Sequence, residues 1–175
     1  MPLKTSSEFL RILNSQNGDE DIEILIDPNQ IIFKTNACEI VSRLIEGNFP
    51  EYQAVIPKQT QTEIVINTQE LVNAVKLVSS FSGRGNDITL KVGENKKFLE
   101  VYSVDNVFGE NRYRVPIKLR GEKFLIIFNW RYFLNGLKIY KSEEIILGIN
   151  GSDKPATIKS LGEPFLVYVV MPIKS

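Results

Sequence analysis

Hydrophobic positions along the chain recur with two different periods. In residues 6–14, 68–80 and 130–140 the apolar side chains return every three or four positions, which predicts three amphipathic helices. Asn67 and Asn129 stand directly before the second and third of these segments. Asparagine is a favoured residue at the position before a helix, so both are predicted to cap their helices.

Runs rich in β-branched and aromatic residues predict strands between the helices. The predicted strands are residues 22–26, 31–35, 37–44, 52–56, 63–66, 88–92, 98–103, 111–117, 123–128, 144–149, 156–159 and 165–171.

The order of these elements predicts an internal repeat. A strand, a helix and three further strands follow one another in three units, and the first unit lacks its leading strand. The last apolar run of each unit carries a proline, at Pro57, Pro116 and Pro172. The pattern predicts an α+β fold with helices on one face of antiparallel sheets. It also predicts one and a half domains, with the break in the polar residues 58–61.

Composition excludes several kinds of chemistry. The 175 residues include 21 basic and 21 acidic residues, no histidine and one cysteine. Histidine, the commonest general base and metal ligand, is therefore lacking, and a single cysteine excludes a disulfide within the chain. We expect neither a cofactor nor a metal ion. No secretory signal is recognisable and no apolar run approaches the ~18 residues of a membrane span, so we expect a cytoplasmic protein without membrane contact.

Basic side chains occur on the polar sides of all three predicted helices and shortly after them. They are Lys4, Arg11, Lys76, Arg131, Lys138 and Lys141. If the helices lie side by side, these cations could hold a phosphate backbone without reading its sequence. The alternative interpretation is that they belong to solvated helix faces.

Three segments resemble one protein family. Residues 42–57 (SRLIEGNFPEYQAVIP), 128–134 (FNWRYFL) and 168–175 (YVVMPIKS) are similar to segments of the bacterial DNA polymerase III beta subunits, the sliding clamps. They occur in the order and spacing of that family. The resemblance covers the whole chain and implies that residues 1–58 are the second half of clamp domain two. Residues 59–175 would then be a complete domain three.

The resemblance implies the clamp fold and a function without catalysis. Clamps are rings whose helices line a channel around duplex DNA, while their sheets form the outer shell. A pocket between domains two and three binds short peptide motifs of polymerases and clamp-loader subunits. The matching positions here are Pro50, Val55, Asn129, Tyr132, Pro155, Val169, Val170, Met171, Pro172 and Ile173.

Some positions depart from the family pattern. Ala54 stands where the family often has arginine, and the chain ends in Ile173, Lys174 and Ser175 instead of Met, Arg and Leu. The sequence contains no counterpart of domain one or of the first half of domain two. We therefore expect a fragment of a clamp subunit that associates with itself, DNA and clamp partners.

Three alternatives remain open from the sequence. The chain could be a stand-alone module that binds clamp motifs without encircling DNA. Four chains could instead supply the six domains of a ring by pairing their incomplete first units. An enzyme that uses carboxylates and lysines is the third alternative, although none of these residues cluster at a spacing typical of acid–base catalysis.

Overall fold

The computed structural model describes residues 1–15, 21–49 and 51–174. The chain divides into two compact units, Met1–Pro50 and Glu51–Ser175. Within the described residues, no helix is long and apolar enough to cross a membrane.

The first unit is one helix and a three-stranded antiparallel sheet in the order β1-β2-β3. Its elements are α1 (Leu3–Ser15), β1 (Glu23–Ile26), β2 (Gln30–Lys34) and β3 (Glu39–Arg43). This confirms the predicted order of a helix followed by strands.

The first unit buries little of its apolar surface. The Phe9 ring of α1 stacks on Phe33 of β2 with ring centroids 4.0 Å apart, and Phe33 is buried. No residue of α1 is buried, and Ile24, Ile26 and Val41 of the sheet are each more than half exposed. A helix with one apolar stripe normally packs that stripe against a core, whereas α1 and this sheet leave much of their apolar surface exposed.

The second unit contains the repeat twice. Its elements are β4 (Thr62–Asn67), α2 (Thr68–Ser79), β5 (Asp87–Val92), β6 (Phe98–Asp105), β7 (Gly109–Arg120), β8 (Leu125–Asn129), α3 (Trp130–Leu137), β9 (Glu144–Ile149), β10 (Ala156–Lys159) and β11 (Val167–Val170). The sheet has eight strands in the order β11-β10-β9-β4-β7-β6-β5-β8. The predicted α+β class and the antiparallel pairing are confirmed.

Each repeat pairs its leading strand with a strand of the other repeat. The leading strand β4 pairs with β9, the first strand after the other helix, and with β7, the last strand of its own repeat. The equivalent leading strand β8 pairs with β5 in the same way. Its other edge receives the chain after β11, because the Ile173 N–H donates to the Ile127 carbonyl at 2.8 Å. This bond nearly closes the sheet into a cycle.

The core lies between the sheet and the helices α2 and α3. Leu71, Val75 and Val78 of α2 are fully buried, and Phe133 of α3 stacks on Phe128 of β8 at 4.9 Å. Burying a side chain of this size contributes about 1.5–3 kcal/mol, so the two helices are held mainly by their apolar faces.

Both predicted caps are confirmed. The Asn67 side-chain oxygen accepts from the Glu70 N–H at 2.9 Å, and the Asn129 oxygen accepts from the Arg131 N–H at 3.0 Å. Each cap satisfies one of the backbone donors that a helix leaves free in its first turn.

One predicted strand and the predicted end of one helix are wrong. Residues 52–56 do not form a strand, since Tyr52–Ala54 is a short 3-10 turn in which the Val55 N–H donates to the Tyr52 carbonyl at 3.0 Å. Hydrogen bonds within this turn therefore replace the strand-to-strand hydrogen bonds that the aromatic and β-branched residues predicted. Helix α3 ends at Leu137, so Lys138 follows its last turn and Lys141 lies in the connection to β9.

Candidate functional site

An open cavity of about 470 Å³ lies where α3 begins and the chain leaves β11. Its lining residues are Asn129, Tyr132, Tyr168, Val169, Val170, Met171 and Ile173. All of these except Tyr168 are among the pocket residues predicted from the sequence. They come from the end of β8, the first turn of α3, and β11 with its continuation.

Asn129 provides the polar group of the cavity. Its side-chain oxygen is engaged by the Arg131 N–H, so its amide nitrogen is the atom left to donate to a ligand. Tyr132, Met171 and Ile173 remain 63%, 54% and 37% exposed, whereas Val170 is 5% exposed. The cavity therefore offers reachable apolar side chains, an anchored apolar floor and one oriented amide, the usual composition of a small binding site.

The chain after β11 is fixed by backbone hydrogen bonds. Strand β11 pairs with β10 through Val170, which lies opposite Ala156. Three residues later, the Ile173 N–H is held by the Ile127 carbonyl of β8. Met171 is thus held between two anchored residues, and the wall it forms is set by the closure of the sheet.

Tyr168 connects this wall to α3. Its hydroxyl donates to the Tyr132 carbonyl at 3.0 Å, and its N–H donates to the Tyr140 hydroxyl oxygen at 3.1 Å. The Tyr140 hydroxyl donates in turn to the Ile158 carbonyl of β10. Burial raises the pKa of both phenols above the ordinary value, so both hydroxyls remain donors into the alkaline range.

Gly136 leaves room for the Tyr168 ring to pack against α3. A Cβ atom at position 136 would lie 2.4 Å from two carbons of that ring, closer than any real contact. Glycine inside a helix is destabilising by itself, so its presence here is explained by the close approach of the aromatic ring.

The other predicted pocket residues lie outside the lining of this cavity. Val55 is 46% exposed and follows the 3-10 turn, Pro155 is half-buried immediately before β10, and Pro172 is buried. Pro50 lies outside the described residues.

The predicted basic side chains are all exposed, but their surroundings differ. In the first unit, Arg11 forms an ion pair with Glu8 at 2.8 Å, and Lys4 lies near the start of the same helix. In the second unit, Lys76 lies on α2 and the Arg131 guanidinium lies 5.2 Å from the centre of the Trp130 ring. Lys138 and Lys141 follow α3. The described residues include no cluster of acidic and cysteine side chains that could hold a metal ion.

Comparison with known protein families decides the relationship. Residues 53–174 match the profile of the C-terminal domain of the DNA polymerase III beta subunit, and residues 1–51 match the profile of its central domain. The chain belongs to the DNA polymerase III beta subunit family. The two matched ranges meet where the two compact units meet.

Similar proteins of this family are named beta sliding clamps. The one from Bacillus subtilis is 27% identical over 177 residues, which cover 100% of this chain and 46% of the relative. The one from Synechocystis is 27% identical, with 99% and 45% covered. The chain thus spans about half the length of these relatives.

Solved sliding clamps share the fold. A structure from Bacillus subtilis superposes with a TM-score of 0.86 at 28% identity, covering 100% of this chain and 46% of that one. A clamp from Bartonella birtlesii, solved bound to griselimycin, gives a TM-score of 0.89 at 27% identity and covers 100% and 47%.

Two residues that shape the cavity of this clamp-family chain were missed by the sequence reasoning. Tyr168 begins the C-terminal segment on which the resemblance rests, yet its strand position alone indicates only a packed residue. Gly136 interrupts an otherwise regular helical pattern, which is a usable sign of close approach by another element. Neither signal identifies the other residue of the pair.

We predict that Gly136→Ala destabilises the second unit. Overpacking against the Tyr168 ring costs about 1–3 kcal/mol, against a gain of about 1 kcal/mol in helix propensity. Urea unfolding followed by the fluorescence of Trp130, the chain's single tryptophan, measures the difference.

The matched control places the same change in a Tyr168→Ala background. With the ring removed, Gly136→Ala should stabilise by up to about 1 kcal/mol. If Gly136→Ala changed the free energy of unfolding equally in both backgrounds, contact with the Tyr168 ring would not be the reason for glycine at this position.

Proposed function

We propose that this chain is part of a sliding clamp that binds short peptide segments of DNA polymerases and clamp-loader subunits, and that it acts without catalysis. The observation that carries the proposal is the cavity beside Asn129. Six residues that the resemblance assigns to the peptide pocket come together there. They lie in the unit that matches the C-terminal domain of the family.

The cavity suits an apolar peptide anchor. Val169, Val170 and Met171 offer a wall for a leucine or phenylalanine side chain, and methionine can adjust its shape to the side chain it receives. The Asn129 amide can donate to a peptide carbonyl and so fix the direction of the backbone. Because Val170 and Ile173 are anchored in the sheet, the wall is formed before the peptide arrives, which reduces the entropic cost of binding.

We predict that Met171→Arg weakens peptide binding by roughly 100-fold, because the substitution places a charge against the apolar anchor. The measurement is a fluorescence-anisotropy titration with a labelled peptide that carries the leucine and phenylalanine of a clamp-binding motif.

Leu161→Arg is the matched control for this titration. Leu161 is 88% exposed and does not line the cavity, so the same change of side chain there should leave the affinity within two-fold. Similar losses in both variants, or no binding by the unaltered chain at millimolar peptide, would overturn the proposal.

We also propose that the exposed faces of α2 and α3 meet duplex DNA. Lys76 and Arg131 lie on these helices, with Lys138 and Lys141 just after α3. The described residues offer none of these four cations a carboxylate within ion-pair distance. They are therefore available to phosphates, and contacts of this kind carry no sequence preference.

We predict that replacing Arg131, Lys138 and Lys141 together by glutamine lowers the salt dependence of DNA association. Each lost phosphate contact reduces the slope of log K against log salt by about 0.9. A filter-binding series over salt concentration measures this slope.

The control variant replaces Lys91, Lys97 and Lys123 by glutamine, which removes the same charge from exposed positions outside the helices. An equal fall in slope for both variants would mean that DNA responds only to net charge.

A second candidate function is a stand-alone peptide-binding module that does not encircle DNA. We propose that residues 1–58 form the second half of a central domain and residues 59–175 a complete C-terminal domain. One repeat in the first unit and two in the second support this division. The observation that supports the stand-alone module is that every lining residue of the cavity lies in the second unit. In either role we place the chain in the cytoplasm, where bacterial polymerases meet DNA.

Solution mass separates the two functions. We predict a monomer or dimer of the 19.9 kDa chain in light scattering between 1 and 100 μM, concentrations chosen to cover roughly micromolar association. In the described residues of the first unit no strand precedes α1, whereas the leading strand β4 of the second unit lies between two other strands, so two first units of this chain would not complete a sheet in the same way. A stable tetramer would contradict this expectation and support a ring of four chains.

A further inference from the structure

A second, polar cavity of about 440 Å³ lies on the face of the large sheet that points away from α2 and α3. Its lining residues are Pro57, Lys58, Gln59, Thr60, Gln61, Glu63, Arg120 and Lys159. Three cations and a single carboxylate thus face one space, although the whole chain has a net charge of zero. The cations come from three different elements: the segment before β4, the end of β7 and the end of β10.

These three cations differ from their neighbours on the same face. Arg114 lies 3.3 Å from a Glu100 oxygen, and Lys118 lies 3.3 Å from a Glu144 oxygen. In the described part of the chain, the side chains of Lys58, Arg120 and Lys159 form neither an ion pair nor a hydrogen bond. The unpaired cations on this part of the sheet are therefore gathered around one cavity.

Among the described residues, Glu63 forms an ion pair with none of these cations. It lies directly opposite Arg120 in the pairing of β4 with β7, where an ion pair would be expected. Instead its carboxylate accepts the Thr60 hydroxyl at 2.6 Å, and no oxygen of Glu63 lies within ion-pair distance of Arg120. The Arg120 guanidinium keeps its donors for another acceptor.

The wall of the cavity is built by specific contacts. The Asn150 side chain holds the segment at both ends, since it donates to the Gln59 carbonyl at 2.9 Å and accepts from the Gln61 N–H at 2.8 Å. Between them, Thr60 packs so closely over Gly148 that a Cβ atom there would lie 2.5 Å from its methyl group. The residues that line the cavity are thus held in place by β9 and the turn after it.

We infer that this cavity binds a small anion through phosphate or carboxylate groups. A guanidinium donates two parallel hydrogen bonds to either group, and the two lysine ammonium groups add charge at the rim. The inference is independent of the peptide cavity and of the DNA-facing helices, because it involves neither their residues nor their face of the sheet.

The test is a calorimetric titration of the full chain with inorganic pyrophosphate and, separately, with citrate, at low ionic strength. Saturable binding of one anion per chain is expected. Saturation by pyrophosphate alone assigns the site to phosphate groups, saturation by citrate alone assigns it to carboxylates, and saturation by both assigns it to either. Saturation by neither overturns the inference.

Two variants test the location. Arg120→Gln with Lys159→Gln should weaken binding at least ten-fold, whereas Lys96→Gln with Lys123→Gln removes the same charge from ion-paired positions and should change it less than two-fold. Asn150→Ala leaves the charge unaltered but releases the wall, and should weaken binding several-fold. Equal losses in the two charge variants, or unchanged affinity in Arg120→Gln with Lys159→Gln, would overturn the inference. Thermal unfolding of each variant verifies that it is folded.

Discussion

The pairing of each leading strand on both of its edges is the constraint on which the second unit depends. Strand β4 lies between β9 and β7, so it joins the two repeats into one sheet. Strand β8 occupies the equivalent place, and its second edge is filled by the bond from the Ile173 N–H to the Ile127 carbonyl. That bond fixes the chain that carries Met171 against Asn129. The hydrogen bond that closes the sheet therefore also positions the wall of the cavity.

In the described residues of the first unit, no strand precedes the helix and little apolar surface is buried. Its sheet has three strands, its helix buries no residue, and Phe33 is its one large buried side chain among the described residues. In the second unit, the faces of two helices and two sets of strands close over one core that includes Leu71 and Phe133. A single repeat has no second set of side chains to close over its own. Its stability should therefore depend on apolar contacts beyond the repeat itself.

Most of the fold could be predicted from the sequence, because helix period, strand composition and capping residues are local signals. Asn67 and Asn129 mark their helices correctly for that reason. The segment from Tyr52 differs from its predicted strand because aromatic and β-branched residues favour strands, whereas a local turn bond from the Val55 N–H to the Tyr52 carbonyl forms here. Tyr168 and Gly136 meet across 32 positions of sequence, which no local period reveals. The polar cavity likewise depends on which strands are neighbours, and Arg120 and Lys159 become close only through the order of the sheet.

The two binding activities proposed for the clamp differ in how much of a ring they require. Every side chain that lines the apolar cavity lies in Glu51–Ser175, and the hydrogen bonds of Tyr168, Tyr140 and Ile173 that hold it are internal to this unit. The proposed peptide binding would therefore require this unit alone. The cations on α2 and α3 are few, exposed and screened by salt within about 10 Å, so under the proposed function one set of them would hold DNA weakly. An enclosed duplex cannot dissociate sideways, which makes weak contacts sufficient in a ring and insufficient in an isolated unit. Under the proposed function, retention on DNA would thus depend on assembly, whereas recognition of the peptide would depend on the closure of one sheet.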